Sequence, residues 1–133
     1  MRDKVGVLLL YVRDFPGMLS FHRDKLGLPM SKIHPEKGYE NLVDWARFEP
    51  NGSTAIEFFT ESRHGRSSVL PFPLNNAFVI AFKVEHIDAA YAELRSREVE
   101  FPKEIGEEEW GRYVHFKDPE GNRLQLYEPH PGY

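Results

Sequence analysis

The sequence predicts an α+β fold built from two copies of a strand–helix–strands unit within one small domain. Three observations carry this. Val7-Leu8-Leu9-Leu10-Tyr11-Val12-Arg13-Asp14, followed by a helical pattern to Gly27, returns 72 residues later as Val79-Ile80-Ala81-Phe82-Lys83-Val84-Glu85-His86, with a second helical pattern to about Arg97. Downstream, Phe48-Glu49-Pro50-Asn51-Gly52 before Ile56-Glu57-Phe58 is echoed by Phe116-Lys117-Asp118-Pro119-Glu120-Gly121 before Leu124-Gln125-Leu126. Self-similarity at a fixed offset marks a repeated supersecondary unit, and it has to be recognised before any architecture is assigned. Finally, the 133 residues are 41% hydrophobic and 14% aromatic, enough for one globular core rather than a disordered chain.

The elements follow in order. Residues 4–12 are apolar, β-branched and bounded by charge, which reads as a buried strand. Asp14 suits a helix N-cap, Pro16 is tolerated in the first turn, and Gly27 is a natural stop. Phe15, Met18, Leu19 and Leu26 mark the apolar stripe between them. Residues 31–39 read as a polar loop or a short strand, Asn41 to Phe48 as a strand, and Thr54 to Thr60 as another. Pro50-Asn51-Gly52 is the turn between these last two, since Asn-Gly is the strongest short hairpin signal. Residues 61–76, with His64, Arg66, Pro71 and Pro73, lack periodicity and read as the connector between the halves. Phe78 to Val84 is the next strand. Ile87, Ala90, Tyr91 and Leu94 share one helix face, with Arg95 and Arg97 suited to its C-terminal end. Glu98 to Pro102 is expected as a short strand and Lys103 to Glu109 as a charged loop. Arg112 to Lys117 and Arg123 to Glu128 are strands around the turn Asp118-Pro119-Glu120-Gly121-Asn122, and Pro129 to Tyr133 is a tail.

Charge and composition exclude several roles. The net charge is -4 and no Lys/Arg block stands out, so no nucleic-acid partner is expected. Without Cys there are no disulfides, thiolate metal sites or Cys nucleophiles, which fits a reducing, cytoplasmic setting. The longest apolar run, Val5 to Val12, is too short to cross a bilayer, so no membrane partner is expected. Arg13-Asp14 follow it directly and no small-residue cleavage site appears, which argues against a signal peptide.

Glu57 on its apolar strand, the Asp118-Pro119-x-Gly121-Asn122 turn before Leu124-x-Leu126, and the opening from strand through Asp14 and helix to Leu26-Gly27 resemble the vicinal oxygen chelate superfamily. That superfamily includes glyoxalase I, extradiol dioxygenases, and fosfomycin- and bleomycin-resistance proteins, and the resemblance runs from Val5 to Glu128. It implies two tandem βαβββ modules forming a curled, incomplete eight-stranded sheet around a cavity, with helices outside. The domain would span 1–133, with module one at about 4–60, a linker at about 61–76 and module two at about 77–128. It also implies a homodimer.

Metal-dependent members of the family hold one divalent ion with four inward strand positions. By the resemblance these fall on Val7, Glu57, Val79 and Gln125. The two histidine positions are therefore valines and one carboxylate position is an amide, and no His lies between Met1 and Tyr11 to rescue the first. Zinc, nickel or iron needs imidazole and carboxylate donors in a set of three or four. No cofactor is therefore expected, and a divalent metal ion is disfavoured.

Strand alternation then assigns the cavity. Leu8, Leu10, Ile56, Phe58, Ile80, Phe82, Leu124 and Leu126 are expected under the helices. Tyr11, Ala55, Glu57, Phe59, Lys83, Tyr113, His115, Arg123, Gln125 and Tyr127 would then face inward. An aromatic pocket with a few convergent polar groups has the character of a small-molecule site. Tyr11, Phe59, Lys83, Tyr113, Arg123, Gln125 and Tyr127 are the candidate ligand-binding residues, and Glu57 and His115 the candidate catalytic ones. Glu57 is either a carboxylate paired with Arg or Lys, or a general base or ligand anchor helped by His115, Lys83 or Gln125. Trp110 either edges the pocket or serves in a core or dimer contact. His22, His34 and His130 are read as surface residues.

Two functions follow. One is a metal-free protein of the bleomycin-resistance type that binds a planar or aromatic small molecule, with the acidic balance favouring a cation. The other is a glyoxalase-like lyase, isomerase or dioxygenase that recruits metal through Glu57, His115 and Gln125, or uses Glu57 as an acid–base group.

Overall fold

A computed structural model describes residues 6–34, 43–50, 52, 54–63 and 78–133 of the chain. The chain divides into two compact units, Met1–Leu74 and Asn75–Tyr133. Each contains a four-stranded mixed sheet, so the fold is α+β.

In the first unit β1 (Val7–Tyr11), α1 (Phe15–Ser20), β2 (Met30–His34), β3 (Val43–Phe48) and β4 (Ala55–Arg63) follow one another, and the sheet order is β1-β4-β3-β2. β1 runs parallel to β4, while β2–β3 and β3–β4 are antiparallel. Asp14 caps α1 by accepting the Gly17 N–H at 3.3 Å, and Pro16 lies in the first turn. After α1 the helix widens into a π-helical turn, Phe21–Lys25, where the Leu26 N–H donates to the Phe21 carbonyl at 2.9 Å. The wider turn leaves the adjacent residues Phe21 and His22 both buried. Gly27 then takes φ 72°, where only glycine is unstrained, and the chain turns into β2. The core on the α1 side of the sheet holds Met18, Ala46, Phe48, Ile56 and Phe58.

In the second unit β5 (Val79–Lys83), α2 (Ile87–Ser96), β6 (Gly106–Glu108), β7 (Gly111–Lys117) and β8 (Arg123–Pro129) give the corresponding order β5-β8-β7-β6. β5 is parallel to β8, and the other pairs are antiparallel. Ile87 and Leu94 of α2 are buried, as are Val114, Phe116, Leu124 and Leu126 of the sheet. The α2 N-terminus draws its cap from β8, because the Ile87 N–H donates to Glu128 Oε1 at 2.9 Å and a carboxylate there opposes the helix dipole favourably. The β7–β8 turn closes on Asp118, whose carboxylate accepts the N–H groups of Glu120 and Asn122 and the Asn122 side-chain amide at 2.7–3.0 Å. Burial pushes the Asp118 carboxyl up against the opposite pull of these hydrogen bonds.

Several local expectations are corrected. Residues 98–102 form no strand: Glu98 has φ 67° and the Val99 N–H donates to the Leu94 carbonyl at 3.0 Å, so this stretch closes helix α2 instead. The short strand lies within the expected charged loop, at Gly106–Glu108, because an edge strand leaves Glu107 and Glu108 in water while its backbone pairs with β7. The first three residues of the expected connector are strand, since β4 runs to Arg63, and 64–76 with His64 and Arg66 lie outside the described residues. Leu8, expected in the core, is 41% exposed on the edge strand β1. His22 is 2% exposed, not a surface residue. No helix among the described residues is long and apolar enough to cross a membrane.

Candidate functional site

The sheet face turned away from α2 is set by the register of β5, β8 and β7. Phe82, Leu126 and Val114 form one cross-strand row and Ile80, Leu124 and Phe116 another, both on the helix side. The alternate rows are therefore on the other face: Lys83–Tyr127–Tyr113, Ala81–Gln125–His115 and Val79–Arg123–Lys117. Six of the expected site residues, Lys83, Tyr113, His115, Arg123, Gln125 and Tyr127, thus share one face of one sheet.

Aromatic contacts organise that face. Trp110, in the turn between β6 and β7, stacks on Tyr113 with ring centroids 5.8 Å apart and planes at 27°. It meets Tyr127 edge-on at 6.3 Å, and Tyr113 meets His115 edge-on at 5.5 Å. Offset and edge-on arrangements are those that aromatic quadrupoles favour, each worth on the order of 1 kcal/mol. All four rings are half-buried. Gly106 makes room for the arrangement: a Cβ there would come within 2.8 Å of the Tyr113 ring. The sequence left Trp110 open between pocket, core and dimer contact, and the ring contacts place it in this cluster.

His115 Nδ1 is buried with no hydrogen-bond partner among the described residues. An orphaned buried N–H is costlier than an orphaned lone pair, so the neutral ring carries its proton on Nε2. In that form His115 presents a donor rather than a base. Its cross-strand neighbour, Gln125, supplies both donor and acceptor capacity alongside.

Glu57, Tyr11 and Phe59 lie in the first unit. On the face opposite α1, Leu9, Glu57, Arg47 and Lys32 form one cross-strand row. Glu57 Oε1 lies 3.3 Å from Arg47 Nη1, which matches the paired-carboxylate reading of this residue. Arg47 Nε also lies 2.8 Å from Glu49, but it makes no hydrogen bond among the described residues, so that contact is an ion pair without N–H alignment. Arg47 was missed in the sequence, because counting outward from the Pro50–Gly52 turn does not give the observed register; only the pairing of Phe48 with Ile56 sets Arg47 against Glu57. Tyr11 ends β1 half-buried, and the Phe59 side chain lies outside the described residues.

The donor chemistry at the four metal positions of the resembled family does not fit a divalent ion. Val7 and Val79 have no donor atom, Gln125 is neutral, and Glu57 is engaged by Arg47. Among the described residues no group of three or more His, Asp or Glu is placed to hold a metal ion. Elsewhere, His22 is structural: its Nδ1–H donates to the Met18 carbonyl at 2.8 Å, and its ring meets that of Phe58 edge-on at 4.4 Å. Burial lowers its pKa to about 4. His130 lies 3.4 Å from Glu107, at the far end of β8 from His115.

Comparison with known proteins places these features in context. A family model for the Glyoxalase/Bleomycin resistance protein/Dioxygenase superfamily matches residues 4–126. The chain is 32% identical over 132 residues to YraH, an uncharacterized protein of Bacillus subtilis (strain 168), the match covering 94% of this chain and 98% of YraH. TnmS3, an antibiotic binding protein from Streptomyces sp. CB03234, superposes with a TM-score of 0.72 at 21% identity, over 96% of this chain and 97% of that one. Lactoylglutathione lyase from Agrobacterium tumefaciens superposes with a TM-score of 0.66 at 20% identity, over 94% and 92% of the two chains. At these identities the two structures speak to the fold alone, and a binder and an enzyme share it.

Proposed function

The chain belongs to the Glyoxalase/Bleomycin resistance protein/Dioxygenase superfamily, and from that premise we propose that it is a metal-free small-molecule-binding protein. The ligand lies against the aromatic face of the second sheet. In this reading a homodimer completes the site. The observation that carries the proposal is the cluster of Trp110, Tyr113, His115 and Tyr127, half-buried on a face that no helix of its unit covers. Flat, half-exposed rings with a few polar neighbours suit a planar ligand better than they suit a packed core. The valines at positions 7 and 79 support the metal-free part, because a binder does not need the Lewis acid that the family's enzymes use. Acid–base catalysis by Glu57 is the weaker reading, since Arg47 already engages that carboxylate.

Elemental analysis of the purified chain, with thermal shifts against Zn, Ni, Mn and Fe(II), tests the metal-free part. No stoichiometric ion and no shift beyond that of a control salt are expected. One ion per chain with a rise of several degrees would sink the proposal and return a lyase or dioxygenase to first place.

A further inference from the structure

The turn that carries Trp110 is one that its hairpin does not stabilise by itself. β6 has three residues, and its register with β7 leaves Glu109 and Trp110 as a two-residue loop. Such loops close well when the first or both residues take positive φ, which matches the twist of the strands and selects Gly, Asn or Asp. Glu109 and Trp110 are not of these types, and neither has positive φ, since Glu98 is the one non-glycine residue there among those described. A loop of the other turn types splays its strands, so this hairpin needs support from outside.

The support comes from the segment after β8. The β7–β8 ladder ends at Gly111 and Pro129, and one further bond follows it: the His130 N–H donates to the Trp110 carbonyl at 2.8 Å. His130 Nε2 lies 3.4 Å from Glu107 Oε1 on β6. The Tyr133 hydroxyl donates to Glu109 Oε1 at 3.3 Å. The Tyr133 N–H donates to the His130 carbonyl at 3.1 Å, closing the segment on itself with Gly132 at φ 93°. Glu107, Glu109 and Trp110 are thus each tied to residues 130–133. β8 also blocks movement of the turn toward it, because a Cβ at Gly111 would strike the Glu128 carbonyl oxygen and Pro129 Cα. The two side-chain contacts are exposed and individually weak, whereas the backbone bond ends on Trp110 itself.

We propose that residues 130–133 are a strap that positions Trp110, with His130 and Tyr133 as positioning residues. The strap holds the indole over Tyr113, at 5.8 Å and 27°, where a planar ligand meets it. A recognition group carried on a turn is loose unless its supports are fixed. The inference rests on the reading of this face as the ligand platform, but the strap itself is measurable without ligand.

Fluorine NMR of the full chain labelled with 5-fluorotryptophan tests the strap. The chain has two tryptophans, Trp45 and Trp110, and Trp110→Phe assigns their resonances. His130→Pro removes the N–H that holds the Trp110 carbonyl, and Tyr133→Ala removes the hydroxyl from Glu109. Both variants should move the Trp110 resonance toward that of free fluorotryptophan and leave the Trp45 resonance in place. A Trp110 resonance unmoved in both overturns the strap. Displacement of Trp45 as well in His130→Pro marks loss of the fold, and Tyr133→Ala then decides. Isothermal titration with 2-naphthol, a neutral planar probe, tests the function of the strap. His130→Pro is expected to weaken binding about tenfold, the worth of two aromatic contacts. Unchanged affinity beside a moved resonance overturns the positioning role. No binding of 2-naphthol by the wild type counts against the platform instead, and the Trp110 resonance still decides the strap.

Discussion

His22 is the residue whose environment departs furthest from what its type suggests. An imidazole on a short helix with charged neighbours reads as a surface group, yet its ring is enclosed by Phe21, Phe48 and Phe58. The Met18 carbonyl accepts its Nδ1–H and fixes the tautomer. Burial disfavours the charged form and lowers the pKa from the ordinary 6.5 to about 4. Between those values the unfolded chain takes up the proton and the folded chain does not, so acid favours unfolding. The stability held by neutral His22 is fully present above pH about 6.5 and is lost as pH falls through about 4, a total of about 3 kcal/mol. Asp118 works in the opposite sense: its carboxyl is pushed up by burial, so its cost to the fold is relieved by acid. Comparison with His22→Leu isolates the histidine. Urea denaturation at pH 7, 5.5 and 4 should show the wild type losing stability faster than the variant across that range. Parallel pH profiles for the two proteins would refute the account.

At the scale of elements, the end of α2 holds backbone strain that the sequence did not signal. Glu98 is the one described non-glycine residue at positive φ, 67°, a conformation that costs an L-residue about 1 kcal/mol. It is held there because the Glu98 and Val99 N–H groups close on the carbonyls of Arg95 and Leu94, while Val99 is buried. Glu98→Gly should therefore raise the unfolding free energy by about 0.5–1 kcal/mol, with the greater freedom of glycine in the unfolded chain reducing the gain. Chemical denaturation measures this, and a destabilised variant would show that the Glu98 side chain contributes more than the strain costs. A short run with alternating apolar residues Val99 and Phe101, Glu98 to Pro102, imitates a strand in sequence. Only the hydrogen bonds made back to the helix reveal it as a cap. The β6 strand is hidden for the converse reason, since its glutamates say loop while its backbone completes a sheet edge.

At the scale of the whole molecule, two of the four exposed large hydrophobic residues among those described lie on β1, an edge of the first sheet, the others being Phe78 and Tyr133. Leu9 is 52% exposed and Leu8 41%, on a strand whose outer backbone is unpaired within its own sheet. Unprotected apolar edge strands invite pairing with another chain, and this supports the proposed homodimer. Sedimentation equilibrium should give a dimer for the wild type, and Leu9→Lys should shift it toward monomer by at least tenfold in dissociation constant, since a buried lysine charge without a partner is costly. A wild-type monomer at micromolar concentration would remove the dimer from the proposed function and require each chain to complete its own site.

The sequence by itself determined the repeat, the two helices and most of the strands, the caps at Asp14 and Gly27, and the turn at Asp118–Asn122. These depend on periodicity and turn chemistry within a few residues, and local rules act on neighbours in the chain. It also set valines at the two positions where the resemblance expects histidines, which is a matter of residue identity alone. Tertiary structure decided what depends on register and enclosure. It set Arg47 against Glu57, laid Trp110 over Tyr113, left His115 Nδ1 without a partner among the described residues, gathered Lys83, Lys117 and Arg123 on one face of an acidic chain, and sealed His22 among phenylalanines. Each of these joins residues on different strands or buries a group with chain-distant neighbours. A one-residue slip in register would turn every such side chain to the opposite face, so the site exists only once the sheets have formed.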